Sequence, residues 1–341
     1  MRIVLDAMGS DTCPAPDVEG AVLAARESAD AIILVGNESQ IRAELAKHNA
    51  AGLPIEIVAA PSAITMHDKP SQVNRTKKDS SMAIGMALVR DGKAEAFVSA
   101  GNTGAALAFA TLGILKRIPG VKRPALTSLI KLRDKTVILC DLGANADAKP
   151  EWLIQFGLMG SIYAQNVLKI ANPRVALLSN GEEEGKGNEL VKTTAELFPA
   201  SGLNFIGNVE PKDMLQGAAD VVVADGFVGN IALKSMEALG DTLFQMIRDQ
   251  FKAGGLRVLL GALLVAPALR SVYRQVDPFE TGGAPLLGVN GVVIIGHGRT
   301  NAKGIKNAIL QAHNAVAGNV IAAITEGVAH FTHEALESTE G

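Results

Sequence analysis

Ten short apolar runs alternate with segments of helical spacing, and this alternation restricts the fold more than any other feature of the chain. The runs fall at 3–5, 31–35, 55–58, 96–98, 126–130, 137–140, 175–178, 204–206, 221–223 and 292–295. They are too short for helices and most are too uniformly apolar for half-exposed strands, so they read as short, mostly buried strands. Segments such as 18–28 and 230–252 have helical spacing. Strand and helix in turn imply βαβ crossovers and a largely parallel sheet with helices on both faces, an α/β fold. No internal repeat, low-complexity linker or sharp change in composition divides the chain, so one compact unit over 1–341 is expected, its lobes left open.

The strands end in polar glycine loops. The run Ser99-Ala100-Gly101-Asn102-Thr103-Gly104-Ala105 lies between a strand at 94–98 and a helix expected over 105–116. A helix that starts there presents unpaired backbone N–H groups and the positive end of its dipole, a seat for an anion. Asn102 or Thr103 can cap the helix or donate to the same anion, and an ordinary capped turn is the alternative. Similar loops follow three other strands: Asp6-Ala7-Met8-Gly9-Ser10-Asp11, Ala224-Asp225-Gly226-Phe227-Val228-Gly229-Asn230 and Gly296-His297-Gly298-Arg299-Thr300-Asn301. Ligands of open α/β sheets bind outside the carboxyl ends of strands, so these loops are expected to converge on one crevice for phosphate or another oxyanion.

Composition excludes several classes. The 341 residues are 48% hydrophobic and 20% charged, enough for a large core, and a net charge of −3 argues against nucleic acid as a partner. Two cysteines, Cys13 and Cys140, give neither a disulfide framework nor a zinc spacing, and no signal peptide is evident at Met1-Arg2-Ile3-Val4, so the cytoplasm is the expected compartment. Gly181-Glu182-Glu183-Glu184-Gly185-Lys186-Gly187 is one residue short of a P-loop and lacks its Ser or Thr. No Gly-x-Gly-x-x-Gly is present. The histidines are scattered, and His330 with His333 has no carboxylate framework beside it, so no metal and no cofactor are expected.

Eight ordered blocks resemble the PlsX-type phosphate acyltransferases: Asp6-Ala7-Met8-Gly9, Lys77-Lys78-Asp79-Ser80-Ser81-Met82, the run from Ser99 to Gly104, Asp141-Leu142-Gly143-Ala144-Asn145, Lys186-Gly187-Asn188-Glu189-Leu190, Asp225-Gly226-Phe227-Val228-Gly229-Asn230, Gly282-Gly283-Ala284-Pro285-Leu286-Leu287-Gly288, and His297-Gly298. The resemblance runs from the first strand to the last helix. It implies a Rossmann-like α/β/α sandwich that moves a long-chain fatty acyl group from acyl carrier protein to inorganic phosphate, forming acyl phosphate for phospholipid synthesis. It also implies a homodimer on the inner face of the membrane, handing its product to a glycerol-phosphate acyltransferase. Two positions depart from the family: Ser10, where a second glycine is usual, and Cys13, usually a small inert residue. A positive φ at position 10 would strain a serine.

Such chemistry needs a bound phosphate dianion, a donor for the developing oxyanion and a proton or positive charge for the departing thiolate. Lys186 is the candidate for phosphate or developing charge, Asn230 for the carbonyl oxygen or for capping its helix, and His297 for proton transfer. The phosphate and substrate pocket is assigned to Asp6, Gly9, Gly101, Asn102, Thr103, Gly104, Asp225 and Gly298. Within it the aspartates, like Asp11, are expected to orient loops or pair with Lys186 or Arg75 rather than touch the anion. Cys13 has no histidine near it in sequence, so direct attack by phosphate is preferred over an acyl-enzyme route. Arg75, Lys77 and Lys78, with a second cluster at Lys116, Arg117, Lys122 and Arg123, suit docking of an acidic carrier. The apolar stretch at about 255–270, bracketed by Arg257 and Arg270, is too short to span a bilayer. Leu256, Leu259, Leu260 and Leu263 share one of its faces, Pro267 should kink or end it, and it reads either as buried core or dimer contact or as a tip that dips into an anionic membrane surface. Two other classes compete: a metal-dependent dehydrogenase of the isocitrate type, and a carrier- or lipid-binding module without turnover.

Overall fold

The computed structural model describes residues 1–132 and 134–340, and the elements follow the expected alternation. The first part of the chain comprises β1 (Arg2–Asp6), α1 (Ala15–Ser28), β2 (Ala31–Gly36), α2 (Glu38–Leu45), β3 (Ile55–Ala59), α3 (Pro70–Thr76), α4 (Ser81–Arg90), β4 (Ala96–Ser99) and α5 (Thr103–Ala108). The middle holds β5 (Ala125–Leu132), β6 (Lys135–Cys140), α6 (Pro150–Asn166), β7 (Val175–Leu178), α7 (Glu189–Leu197), β8 (Phe205–Val209), α8 (Pro211–Leu215) and β9 (Val221–Val223). The last part has α9 (Gly226–Ala253), α10 (Gly255–Val276), β10 (Ala284–Leu287), β11 (Val292–Ile295), α11 (Ala302–Ala317) and α12 (Val320–Glu340).

Among the described residues the strands form one eleven-stranded sheet in the order β3-β2-β1-β4-β11-β10-β5-β6-β9-β7-β8. It is mostly parallel, but in two halves that run in opposite directions. β3, β2, β1, β4 and β11 are parallel to one another, as are β6, β9, β7 and β8. Between them β10 is antiparallel to both β11 and β5, and β5 is antiparallel to β6. Register then decides the shape. The start of β10 pairs with the end of β11 (Ala284 with Ile295), its end pairs with the start of β5 (Leu287 with Ala125), and the start of β5 pairs with the end of β6 (Thr127 with Cys140). The halves are therefore staggered along the strand direction, with their carboxyl ends facing each other across β10.

Helices cover both faces over two apolar cores. One core joins α1, α6, α11 and α12 to the sheet through residues such as Val18, Phe156, Tyr163, Ile309 and Ile324, and the other joins α4 and α5 through Met82, Met86 and Ala106. Fully buried β-strand residues such as Ile3, Leu5, Phe97, Val98 and Val222 explain the uninterrupted apolar runs in the sequence.

Several expectations are corrected. The block from Gly282 to Gly288 read as a loop but contains β10, whose two apolar residues after Pro285 are too few to stand out. The helix expected over 105–116 starts at Thr103, passes into a wide turn over Phe109–Gly113 and stops there. The helix expected at 230 starts at Gly226, so Asn230 lies inside it and Asp225 is the cap. Pro267 does not end α10, which continues to Val276. The buried-core reading of 255–270 also fails, because Leu263 is 67% and Leu264 83% exposed on the hairpin that α9 and α10 form. The side chains of Leu256, Leu259 and His333 lie outside the described residues. Among the described residues no single helix is long and apolar enough to cross a membrane; the bent pair α11 and α12 passes by length and composition, and α11 turns Ile305, Ala308, Ile309 and Ala312 into the core.

Candidate active site

One wall of the crevice is built at the ends of β1, β4 and β11. Asp6 ends β1 fully buried; its carboxylate accepts from the Ser99 hydroxyl at 2.8 Å and from the Met8 amide at 3.2 Å, tying β1 to β4. Burial pushes this carboxyl above its ordinary range, against the pull of those bonds. Gly9 brings the first loop against the second: a side-chain carbon there would lie 2.9 Å from the Gly101 amide nitrogen. The Asp11 amide donates to the Gly298 carbonyl at 2.8 Å, which fixes the loop after β11 to the same wall.

Asn102 caps α5, accepting from the Ala105 amide at 3.0 Å, while its own amide group donates to the carbonyls of Thr65 and Asp68, each at 3.2 Å. Its side chain is thereby committed to the wall and not to an anion. The amides of Thr103 and Gly104, first in α5, have no acceptor among the described residues and lie beside the exposed Thr103 side chain. They are the free donors expected at a helix start.

The facing wall hangs on Asp141, just beyond β6. Its fully buried carboxylate accepts from the amides of Leu126 (2.9 Å), Leu142 (2.7 Å), Ala144 (3.2 Å) and Asn145 (2.7 Å) and from the Asn145 side chain (3.0 Å). Burial raises the Asp141 pKa while the donors lower it. The first turn of α9 packs directly on this loop, and a side-chain carbon at Gly229 would fall 2.0 Å from the Asp141 carbonyl oxygen. Asp225 caps the helix by accepting from Phe227 and Val228, both at 2.9 Å. The helix then carries Asn230, half-buried beside Gly143, and one turn later Lys234 toward the space between the walls.

That space is a crevice of about 570 Å³. Its polar lining includes Asn102, Thr103, Asn230, Lys234, Glu237 and His297, and its backbone lining includes Gly101, Gly104, Gly143, Gly282, Gly283 and Gly298. His297 is exposed, and its Nδ1 accepts from the Arg299 amide at 3.3 Å. In the neutral ring Nε2 therefore carries the proton and is the group able to donate. Arg299 reaches across to Asp241 of α9 at 3.4 Å, an exposed pair that bridges the walls.

The structure thus brings Gly101, Asn102, Thr103, Gly104, Asn230, His297 and Gly298 together. Asp6, Gly9 and Asp225 support the walls from behind without lining the crevice. Lys186 is exposed on the loop after β7, which lies two strands from β6, and is not a lining residue. Lys234, which the sequence reading missed, is the lining cation among the described residues; its signal was its spacing of four from Asn230 on one helix. Of the basic cluster, Arg75 and Lys78 are exposed on and after α3, whereas Lys77 donates to the Ala63 carbonyl at 3.2 Å and faces Asp68 at 4.0 Å. Of the second cluster, Arg123 stacks 4.8 Å over Trp152, and Arg117 donates to the Lys122 carbonyl. Ser10 has no positive φ, so no strain arises there; its hydroxyl instead donates to the buried Asp17 at 2.5 Å. Among the described residues, the three carboxylates that could share a metal, Glu182, Glu210 and Asp213, lie away from the crevice lining, and Lys212 pairs with two of them.

A family model described as "Fatty acid synthesis protein" matches residues 1–323. A phosphate acyltransferase of Geobacter sulfurreducens is 49% identical over 317 residues, 93% of this chain and 91% of that protein. One from Heliobacterium modesticaldum is 50% identical over 330 residues, covering 96% and 98%. Among solved structures, a phosphotransacetylase from Streptococcus pyogenes superposes with a TM-score of 0.60 at 20% identity, over 93% of this chain and 94% of that one. A 4-hydroxythreonine-4-phosphate dehydrogenase from Klebsiella pneumoniae does so with 0.51 at 15%, over 92% and 99%. At those identities the two structures speak for the shared fold alone.

Proposed function

The chain belongs to the phosphate acyltransferase family of fatty acid synthesis, and on that premise we propose that it transfers a long-chain acyl group from the thioester of acyl carrier protein to inorganic phosphate, releasing acyl phosphate for phospholipid synthesis. The observation that carries the reading is the facing of two sets of groups across one crevice: the free amides of Thr103 and Gly104 and the ring of His297 on one wall, and Asn230 and Lys234 on the other.

Phosphate sits against the amides at the start of α5 and is countered by Lys234, with Lys186 adding charge at the approach. One phosphate oxygen attacks the thioester carbonyl carbon, the C–S bond breaks, and the electron pair leaves on sulfur. Asn230 donates its side-chain amide to the carbonyl oxygen as charge builds there. The proton carried by monohydrogen phosphate ends on the departing thiolate, and His297 steadies the charge on sulfur by donating a hydrogen bond from Nε2. Holding both reactants in one crevice provides much of the acceleration, and no acyl-enzyme is required. Cys13, half-buried among the carboxylates of Asp17, Asp6 and Asp11 and with its thiol pKa raised by burial, is a poor nucleophile, which supports the direct route.

Arg75 and Lys78 meet the acidic carrier at the rim. The hairpin of α9 and α10 presents Leu260, Leu263 and Leu264 between the exposed Arg257 and Arg270, a surface suited to the inner membrane face, where the product would pass to a glycerol-phosphate acyltransferase, with the enzyme acting as a homodimer. The direct test mixes long-chain acyl carrier protein with the protein and follows free carrier thiol. Release that depends on phosphate and yields acyl phosphate supports the reading, and thiol release at the same rate without phosphate refutes it. Leu260→Glu with Leu263→Glu should abolish sedimentation with anionic liposomes and leave activity in solution; unchanged sedimentation removes the membrane assignment.

A further inference from the structure

The crevice has an apolar extension that the transfer itself does not use. A trough of about 520 Å³ opens beside it, and the two share Ser128, Leu233, Glu237, Pro278 and Thr281 in their walls. From there it follows α9 as far as Leu243, about 15 Å of helix from Leu233, with β5 opposite. Ile130, Leu215, Leu233, Met236, Leu239 and Leu243 give it an apolar lining. Of its charged residues, Asp277 and Glu280 are engaged by Lys303, Lys131 and Arg274 are exposed to solvent, and Glu237 is half-buried at the mouth shared with the crevice.

We infer that this trough holds the alkyl chain of the acyl group while its thioester end lies in the crevice, and that its depth sets chain-length preference. The inference rests on the acyl transfer proposed above. An unbranched chain attached at the reacting carbon must leave the crevice somewhere, and this continuous apolar wall offers burial of successive methylenes at about fourfold in affinity for each. One residue marks where the trough can be blocked. A side-chain carbon added at Gly240, about two-thirds of the way along it from Leu233, meets nothing within 4 Å. A large residue there enters open space rather than packed protein, and replacing a glycine inside a helix favours the helix.

Gly240→Trp is the plug, Gly240→Leu a smaller one should tryptophan impair folding, and Gly240→Ala the control. Phosphate-dependent turnover is measured with a series of acyl carrier protein thioesters from butanoyl to palmitoyl, and affinity for saturated free fatty acids over the same lengths by calorimetry. In the wild-type protein both should climb with chain length. The plug should lower the palmitoyl values at least tenfold and leave butanoyl turnover within about twofold, with the alanine control unchanged. Equal loss at all lengths, an unchanged length profile, or a plug that acts by changing the oligomeric state overturns the assignment. If the wild-type protein binds fatty acids with a length dependence that the plug flattens, yet turns over no thioester, the transfer reading fails and the trough stands.

Discussion

The two walls of the crevice use the same device in unequal measure. Each begins where a strand ends in a buried aspartate that gathers loop donors, but Asp6 accepts two hydrogen bonds, one of them from a hydroxyl, whereas Asp141 accepts five, four of them backbone amides. The first wall has other ties: the Asn102 clamp on Thr65 and Asp68, the Asp11 bond to Gly298 and the close contact at Gly9. The second wall converges on one carboxylate, against which α9 is seated. A buried donor left without a partner costs about 1–3 kcal/mol, so the walls should differ sharply in their tolerance of losing the aspartate.

The largest expected effect is therefore on Asp141→Ala, which should cost upwards of about 5 kcal/mol and leave little folded protein. Asp6→Ala should cost about 2–4 kcal/mol and still fold. Denaturant titration of both variants checks the ranking, and equal losses would show that the second wall has support beyond the carboxylate. Next comes activity. Lys234→Ala should reduce acyl-phosphate formation by about 10²-fold in a stable protein, as for loss of an electrostatic partner to developing charge. Lys186→Ala, removing a charge to the side of the walls, should reduce it less. The reverse order would mean that the loop after β7, and not α9, supplies the phosphate's cation.

The last effect, small for each pH unit, concerns a carboxyl behind the first wall. Burial pushes Asp17 up to about 8, with Ser10 its hydrogen-bond partner and its other oxygen without one. The folded state thus holds a proton that the unfolded chain releases near its ordinary value, so this group's contribution to stability is full below that value and declines as pH rises to about 8. Unfolding free energies measured at intervals over this range should carry a negative slope of at most about 1.4 kcal/mol per pH unit from this group. Asp17→Asn should remove it. An unchanged slope in that variant would place the proton uptake elsewhere.

Much of this architecture is set within short stretches of the chain. Apolar runs of strand length between helical segments dictate α/β layering because each element must bury a face. The caps Asn102 and Asp225 act on amides two or three residues away, which is why the loops were legible, although the sequence did not say which of them had its side chain spent on capping. The alternation predicts a largely parallel sheet, but local pattern does not say which strands run against the rest. That depends on pairing between residues such as Leu286 and Leu126, far apart in the chain, and on a four-residue β10 too short to announce itself. The tertiary structure alone decided that two parallel halves meet head-on across that strand. The same long-range packing placed Lys234, and not Lys186, in the lining of the crevice and left the apolar face of the α9–α10 hairpin exposed, because a side chain's surroundings are fixed by what folds against it and not by its neighbours in sequence.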